Sequence, residues 1–442
     1  RNSGRWGNSI GDKSKFGLSI PEILRTIQKL NEANLLQELR LLHFHIGSQI
    51  NDIAILKDAL QEAGQIYIEL KKLGAPMGYL DVGGGLGIDY DGSRTATSAS
   101  TNYSLQNYAN DVVATIQECC DSHNIDCPIL VSESGRAIAS HFSVLVFNIL
   151  EKSMVPSDVP SAKNKECLII KNLRTTLKLI QSIPKDSELE ISKLQEAWND
   201  ALKFKDDGLA AFRLGYINLI ERGIVEKLTW ACAKTVLERL KNIDNSLIPQ
   251  DLKNLNYNLA ATYYANLSIF RSAPDTWAIN QLFPILPIHR LNEKPTDLGD
   301  FADLTCDSDG KLTRFINNGQ VKPLLELHSL KPNEDYLIGM FLGGAYQEVM
   351  GNLHNLFGST DAAHIRIKNT GNYQVDHVIR GDSKADVLKA TEHNPELVLE
   401  RLRLSTEKAI QKGRLKIRDA QRLIEHIEIS LRESTYLQDE SH

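Results

Sequence analysis

A run of glycines that follows directly on a short apolar segment constrains this 442-residue chain most. Residues Tyr79–Asp89 read Y-L-D-V-G-G-G-L-G-I-D, so an apolar, strand-like segment leads into Gly83, Gly84, Gly85 and Gly87. Without Cβ atoms, glycines let the backbone approach an anion closely and aim several N–H groups at one phosphate. Taken alone, the run is more simply a strand-to-loop turn, because it is not G-x-G-x-x-G and no helix follows at once.

Two flanking segments repeat the order of strand, polar loop and helix. The first strand ends near His45 and Ser48, and the third leads into Glu133 and Arg136. Parallel β/α units place such groups at the carboxyl ends of their strands, where a (β/α)₈ barrel has its active site. Three units cannot close a barrel, so we expect about half of one. The predicted elements are Ser19–Leu36, Leu39–Ile46, Asp52–Leu73, Tyr79–Val82, Leu105–Cys120 and Pro128–Ser132.

The rest of the chain has a different pattern. Residues Ser187–Leu240 have a helical apolar period, and Ser187 followed by Glu190 predicts a capping box. Strands and two amphipathic helices follow: Lys311–Ile316, Tyr336–Phe341, His364–Ile367, Tyr373–Ile379, Pro395–Gln411 and Ile417–Leu431. We therefore divide the chain into the C-terminal half of a barrel (1–149), a helical insert (150–257), a β-domain (258–392) and C-terminal helices (393–442).

Composition excludes several classes of partner. The formal charge of −6 argues against nucleic acid and anionic membrane, and mildly favours cationic small molecules. No apolar run reaches the length of about 18 residues that a spanning helix needs, and no secretory or transit segment is recognisable. Six cysteines without a C-x-x-C pair suit a reducing cytosol. Because the chain begins without Met, we also expect a missing N-terminal part.

The polar groups at the three strand ends become informative when they are considered together. A lone strand-end His45 is usually just hydrogen-bonded, and Glu133 with Arg136 could be a surface ion pair worth under about 1 kcal/mol. Converging on one barrel mouth, they supply a phosphate site with an acid beside it. Pyridoxal phosphate needs such a set, because its phosphate takes glycine N–H groups and arginine. A carboxylate also keeps its pyridine nitrogen protonated.

Five motifs in register make the likeness to a known family specific. Because five motifs occur in the same order as in that family, the chain resembles the alanine-racemase-fold, pyridoxal-phosphate-dependent decarboxylases of basic amino acids. Within them it is most similar to the large biosynthetic arginine decarboxylases. The motifs are H-F-H-I-G-S-Q (His43–Gln49), L-D-V-G-G-G-L-G (Leu80–Gly87), S-E-S-G-R-A (Ser132–Ala137), L-T-C-D-S-D-G (Leu304–Gly310) and G-G-A-Y-Q-E…G-N-L-H-N-L-F-G (Gly343–Gly358). The segments Asp275–Pro284 and His289–Thr296 and the helical insert are similar to the arginine branch.

The resemblance implies a fold and a reaction. The fold would be α/β plus all-β, with part of a cofactor-binding TIM barrel, a helical-bundle insert, a β-barrel domain and a C-terminal helical segment. The reaction would convert L-arginine to agmatine and CO₂ for putrescine and spermidine synthesis. Pyridoxal 5′-phosphate is the implied cofactor, and Mg²⁺ is a second candidate. The family shares active sites across a dimer interface, so we expect at least a homodimer.

The same resemblance assigns roles to individual residues. It implies that Cys306 protonates the α-carbon after CO₂ leaves, and that Asp307 binds the distal cation of the substrate. For the guanidinium itself, Glu293 and the Asp307/Asp309 pair are both candidates. The implied cofactor contacts are ring stacking by His45, phosphate binding by Ser48, Gly83, Gly84, Gly85, Arg136 and Tyr346, and pairing of Glu133 with the pyridine nitrogen.

Two departures from the family pattern leave alternatives open. The family attaches its cofactor to a lysine on an early barrel strand, whereas Lys13 and Lys15 lie in a K-S-K-F-G segment that matches a later position. We therefore expect that lysine upstream of Arg1 and this chain alone to be inactive. Asn352 stands where the family pattern has Asp. The alternatives are a catalytically inactive homologue that binds partner subunits, or a decarboxylase of ornithine or diaminopimelate.

Overall fold

Three parallel β/α units form the N-terminal part of the molecule. The computed structural model describes residues 15–156, 158–163 and 165–438, so Lys13 lies outside the described residues. The strands pair in the order β1-β2-β3 with residues 41, 79 and 129 in register. The elements are α1 (Ile20–Glu32), β1 (Leu41–His43), α2 (Ile53–Lys72), β2 (Tyr79–Asp81), α3 (Leu105–Asp121), β3 (Ile129–Val131) and α4 (Gly135–Ala139).

The predicted barrel half is confirmed, with helix ends displaced by a few residues at most for α2 and α3. Asp52 caps α2 by accepting a hydrogen bond from the Ala54 N–H at 3.0 Å. Helices α2 and α3 bury one face of the sheet in a core that includes Leu60, Leu80 and Ile116. The opposite face, which the other strands of a closed barrel would cover, is exposed; Ile129, for instance, is 60% accessible.

A four-helix bundle follows, made of α5 (Leu168–Ser182), α6 (Ile191–Arg213), α7 (Leu219–Leu240) and α8 (Gln250–Leu259). Its core contains Trp198, Leu228 and Cys232, so the apolar stripe of the sequence packs inward. The predicted capping box is wrong. The Ser187 side chain makes no capping hydrogen bond, and the Glu190 carboxylate instead pairs with Lys193 Nζ at 2.8 Å.

The β part is built on one seven-stranded sheet. Its order is β11-β7-β5-β4-β12-β6, with β8 paired to β7. Aromatic side chains fill its core: Phe147, Tyr263, Phe301, Phe315 and Tyr336. The strands of this part are β4 (Val144–Ser153), β5 (Ala261–Ala265), β6 (Ile285–Pro287), β7 (Asp297–Ala302), β8 (Lys311–Leu312), β9 (Phe315–Asn317), β10 (Gln320–Lys322), β11 (Leu325–Leu327) and β12 (Leu337–Phe341).

Two features of this part differ from the sequence prediction. The single strand predicted at Lys311–Ile316 is divided, because β8 pairs with β7 whereas β9 pairs with β10. The domain boundary predicted at residue 149 falls inside β4, which pairs with β5 and β12 and so belongs to the seven-stranded sheet. The four-part division of the chain otherwise stays a prediction.

Short helices and a hairpin complete the chain. Three short helices are α9 (Ile269–Ser272), α10 (Pro274–Ala278) and α11 (Gln347–Met350). The hairpin β13 (Ala362–Ile367) and β14 (Tyr373–Ile379) and the helices α12 (Lys384–Ala390), α13 (Pro395–Gln411) and α14 (Ile417–Arg432) follow. In the described part of the chain, no helix is both long and apolar enough to cross a membrane. All six cysteines are free thiols.

Candidate active site

Backbone hydrogen bonds join the ends of the three parallel strands. The Gly84 N–H donates to His45 Nδ1 at 3.0 Å, and the Glu133 N–H donates to the Gly83 carbonyl at 2.9 Å. The first bond makes His45 Nδ1 an acceptor, so its tautomer carries the proton on Nε2. His45, the glycine run and Glu133 are therefore adjacent, as the sequence predicts.

The glycine run is built for close approach of backbone to backbone. Gly83 has φ +65°, and a Cβ there would lie 2.1 Å from the Phe44 carbonyl oxygen. Gly85 has φ +103°, and its Cβ would lie 2.8 Å from the Gly47 carbonyl oxygen. A larger residue at either position would push the first two strand ends apart. The cradle expected at Gly83, Gly84 and Gly85 thus has the required backbone freedom.

Arg136 is a buried cation that hydroxyl groups hold. It is 7% exposed, and its Nε and Nη2 atoms both donate to Ser48 Oγ at 3.2 Å, while Nη1 donates to Tyr90 Oη at 2.9 Å. Within the described part of the chain, no carboxylate pairs with this guanidinium. A buried charge without a counter-ion is unfavourable, so Arg136 is a candidate for binding an anion. The surface ion pair with Glu133, which was the alternative to a phosphate site, does not form between these two described residues.

Tyr346 reaches the same arginine from the β part. The Arg136 Cζ atom lies 4.8 Å from the centre of the Tyr346 ring, within the range of a cation–π contact. The turn before α11 packs on the barrel half, because the Gly344 N–H donates to the Ser140 carbonyl at 3.2 Å. A Cβ at Gly344 would lie 2.0 Å from the Ala139 carbonyl oxygen. The ring of Tyr346 thus lies beside Arg136, and its contact with the phosphate stays a prediction.

A second polar pair adjoins Glu133 that the sequence analysis did not identify. His43 Nδ1 lies 2.7 Å from Asp81 Oδ2, and the Gly83 N–H donates to Asp81 Oδ1 at 2.8 Å. Burial raises the pKa of Asp81, but the hydrogen bonds from Gly83 and His43 outweigh it and hold the pKa below its ordinary value. A ring nitrogen of His43 and one carboxylate oxygen each of Asp81 and Glu133 all lie within 4.8 Å of one another.

Cys306 and Asp307 lie in the loop between β7 and β8, against the segment after α11. Asn355 Nδ2 donates to Cys306 Sγ at 3.3 Å, and Asp307 Oδ2 lies 3.2 Å from His354 Nε2. The Asp309 N–H donates to Asp307 Oδ1 at 2.9 Å, which fixes that carboxylate. Cys306 is exposed, and its role as a proton donor stays a prediction.

The remaining candidates for guanidinium recognition lie in different surroundings. Asp309 lines a cavity of about 360 Å³ together with Trp277, Lys311 and Arg314. Glu293 instead contacts Arg290 Nη2 at 2.7 Å and Lys331 Nζ at 2.9 Å, and these two cations lower its pKa to about 2. The Glu293 carboxylate thus already has two cationic partners.

Some residues of the site carried a signal in the sequence and others did not. His43 and Asp81 precede His45 and Gly83 by two positions, so strand alternation could have placed them on the same face. His354 and Asn355 lie inside a motif that was already recognised. Nothing in the sequence marks Tyr90. Asn352 accepts a hydrogen bond from the His354 N–H at 2.9 Å, as an aspartate there would.

The donor set fits pyridoxal phosphate. A glycine cradle, a buried arginine without a counter-ion and a serine hydroxyl suit its phosphate, and Glu133 lies beside them as an acid. These groups therefore suit the phosphate and the ring of the cofactor predicted from the sequence.

Comparisons with known proteins agree with this geometry. Residues 1–140 match the family model "Pyridoxal-dependent decarboxylase, pyridoxal binding domain", residues 163–256 "Arginine decarboxylase helical bundle domain", and residues 385–437 "Arginine decarboxylase C-terminal helical extension". The predicted fold class is thereby confirmed, including the helical insert.

Similar proteins extend the match over nearly the whole chain. The biosynthetic arginine decarboxylase of Prochlorococcus marinus (strain MIT 9303) is 68% identical over 438 residues, covering 99% of this chain and 67% of that protein. That of Parasynechococcus marenigrum (strain WH8102) is 64% identical, with coverages of 99% and 68%. The crystal structure of the Campylobacter jejuni enzyme is 32% identical and superposes with a TM-score of 0.81 over 97% of this chain and 68% of that one. This chain belongs to the family of biosynthetic arginine decarboxylases.

Proposed function

We infer that this chain contributes to the pyridoxal-phosphate-dependent decarboxylation of L-arginine to agmatine and CO₂, as its family membership indicates. The observation that carries the proposal is Arg136, a buried guanidinium that has the hydroxyls of Ser48 and Tyr90 as partners in place of a carboxylate. A dianionic phosphate is the counter-ion that this arrangement lacks.

The phosphate would be held by groups from both parts of the chain. Arg136 supplies charge, Ser48 a hydroxyl, and Gly83, Gly84 and Gly85 backbone N–H groups. The Tyr346 ring already lies against the Arg136 guanidinium, so its hydroxyl is the contribution of the β part. Hydroxyls of Ser48 and Tyr90 orient the guanidinium in advance, which reduces the entropy lost on binding.

The ring would lie between His45 and the acid. His45 is fixed by the Gly84 N–H, which leaves its face free to stack. Glu133 would pair with the pyridine nitrogen and stabilise its protonated form. When bound, pyridoxal phosphate supplies an electron sink for the carbanion that forms at the α-carbon as CO₂ departs.

Proton delivery and substrate recognition fall to the loop between β7 and β8. Cys306 Sγ–H would protonate the α-carbon, with Asn355 fixing the sulfur at 3.3 Å. Asp307 would hold the distal guanidinium of arginine, and Asp309 is the second candidate. Glu293 is less suitable, because Arg290 and Lys331 already neutralise it. As in the family, we propose that this loop completes the site of a second copy in a homodimer.

Three further assignments rest on the family and on composition. Polyamine synthesis follows from agmatine as product. A cytosolic location rests on the free cysteines. A Mg²⁺ requirement stays a proposal without residues, because imidazole is a poor ligand for Mg²⁺ and Glu133 is assigned to the ring nitrogen.

The test is turnover by the purified protein that contains this chain. With pyridoxal phosphate and arginine we expect stoichiometric CO₂ and agmatine, and slower release from ornithine or diaminopimelate. Glu133→Ala should lower the rate by well over about tenfold, which is roughly 1.4 kcal/mol of barrier. The exposed Glu118→Ala is the matched control and should turn over normally.

The outcomes separate the alternatives. Absence of arginine turnover with bound cofactor would favour the inactive homologue. Equal turnover of ornithine would remove the assignment to the arginine branch. A loss of less than about tenfold in Glu133→Ala would show that this carboxylate is not the partner of the ring nitrogen.

A further inference from the structure

A layer of charged side chains lies directly beneath the proposed cofactor layer. His43 and Asp81 are register partners across β1 and β2, and Asp81 is in turn the partner of Val131 on β3. Alternate residues of a strand project to the same face. His45 and Glu133, two residues beyond His43 and Val131, therefore lie above this layer. Parallel strand ends commonly stack side chains in such layers.

Asp81 connects the elements of the site through both of its carboxylate oxygens. Oδ2 lies 2.7 Å from His43 Nδ1, and Oδ1 accepts from the Gly83 N–H at 2.8 Å. The Asp81 carboxylate is buried, and one of its oxygens lies within 4.8 Å of a carboxylate oxygen of Glu133. The Asp81 carboxylate thus contacts Gly83 and His43 and lies close to Glu133.

The charges of this cluster have a specific consequence. Two carboxylates this close compete for one proton unless a cation neutralises one of them. The ion pair of His43 Nδ1 with Asp81 Oδ2, at 2.7 Å, would balance the Asp81 charge and leave Glu133 as the net negative charge of the cluster. Among the described residues, this cluster consists of His43, Asp81 and Glu133. Two further charged or titratable groups lie at the same strand ends: His45, which accepts from the Gly84 N–H, and Arg136, which donates to Ser48 and Tyr90.

We propose that His43 is a positioning residue that neutralises the buried Asp81 carboxylate, so that Glu133 stays ionised against the cofactor ring and keeps the pyridine nitrogen protonated. The proposal rests on the proposed function. The pair acts through Glu133 and touches neither substrate nor reacting atoms.

The experiment uses the holoprotein loaded with pyridoxal phosphate that is ¹⁵N-labelled at the ring nitrogen, whose chemical shift reports protonation. His43→Gln retains a hydrogen-bond donor to Asp81 but removes the cation. Asp81 and Glu133 then share a proton, and the ratio of protonated to unprotonated ring nitrogen should fall by about tenfold, which corresponds to about one pKa unit. The rate should fall with it through kcat, while KM for arginine changes little.

The double variant His43→Gln/Asp81→Asn distinguishes electrostatics from structure. It removes both charges and again leaves Glu133 alone, so the ring nitrogen should return to its protonated signal. Asp81→Asn alone should also keep that signal, because its amide oxygen still accepts from Gly83. If the two residues had a purely structural role, the double variant would show a smaller protonated signal of the ring nitrogen than either single variant.

Each outcome bears on one proposal only. An unchanged nitrogen signal in His43→Gln, or no recovery in the double variant, overturns the positioning role while the proposed function stands. If His43→Gln does not fold, loss of the protonated signal in Asp81→Asn overturns it instead. Wild-type protein that binds no pyridoxal phosphate overturns the proposed function itself.

Discussion

Replacing Arg136 by Met should weaken cofactor binding without unfolding the protein. The guanidinium donates to the hydroxyls of Ser48 and Tyr90, is 7% exposed and has no carboxylate partner in the described chain. Charged hydrogen bonds contribute about 1.5–3 kcal/mol each, so losing those to the phosphate should remove about 3 kcal/mol of binding energy. That corresponds to a Kd about a hundredfold higher.

The cofactor-free protein should respond differently. Burying an uncompensated cation is unfavourable, and removing it offsets the hydrogen bonds that are lost. We therefore expect the free energy of unfolding to change by less than about 2 kcal/mol in Arg136→Met. A spectroscopic titration with pyridoxal phosphate measures the Kd, and urea unfolding of the cofactor-free protein measures stability.

Arg174 provides the matched control. Its Nη2 and Nε atoms bind Glu166 at 2.8 and 2.9 Å, and its side chain is partly buried in the helical insert. Arg174→Met leaves the Glu166 carboxylate unpaired, so it should cost about 3 kcal/mol of stability and leave the Kd unchanged. If Arg136→Met shows that control behaviour, loss of stability with normal cofactor affinity, then Arg136 is a structural residue and the phosphate lies elsewhere.

Four further changes test other parts of the structure. Cys306→Ala should slow agmatine formation and divert some turnovers to protonation on the cofactor, which releases the aldehyde and aminated cofactor; clean agmatine at the normal rate would exclude the role. Asp307→Asn should raise KM for arginine by about tenfold, the loss of about 1.4 kcal/mol, and an unchanged KM in steady-state kinetics would point to Asp309. Leu228→Ala, at a fully buried position of the bundle, should lower unfolding free energy by about 3 kcal/mol in urea with normal kcat. Asp297 has a lowered pKa, because hydrogen bonds led by Lys152 outweigh the burial that raises it. Its stabilisation is therefore present above the ordinary aspartate pKa and lost as the pH falls through the lowered one. The stability gap between wild type and Asp297→Asn should thus close on acidification, and a gap that stays constant down to about pH 2 would contradict the shift.

The elements that the sequence predicts well are those whose signals are local. Helix α2 has a capping Asp52, a continuous apolar face and a terminating Gly74, and its predicted and observed ends agree within one residue. The Ser187 capping box failed although its spacing was right. The Glu190 carboxylate has a competing partner in Lys193, and a motif cannot show that competition.

Elements that depend on distant partners could not be predicted. Strand β4 follows the barrel half in sequence, but its hydrogen bonds are to β5 and β12, more than a hundred residues away. Likewise, β8 and β9 are adjacent in sequence and separate only because each has a different partner strand. Pairing of this kind is decided by tertiary packing, which composition and period do not encode.

For the site, sequence reasoning found the groups but not their connections. His45, the glycine run and Glu133 were recognisable because each closes a strand. The absence of a carboxylate partner at Arg136 in the described chain is a three-dimensional fact, and the proposed phosphate site rests on it. Glu293 is the opposite case: it was a candidate for binding the substrate cation, and only the structure shows that its carboxylate already pairs with two cations of the chain.

The strained turn at Tyr346 couples the two parts of the chain to the phosphate site. Tyr346 has φ +71°, a conformation that costs a non-glycine residue about 1 kcal/mol. The cost is offset where Gly344 packs on the Ala139 carbonyl and where the Tyr346 ring meets Arg136. Neither contact exists unless the β part is seated on the barrel half. The aromatic group and the cation therefore come together only in the packed structure, so the proposed phosphate site would link cofactor affinity to the packing of these two parts.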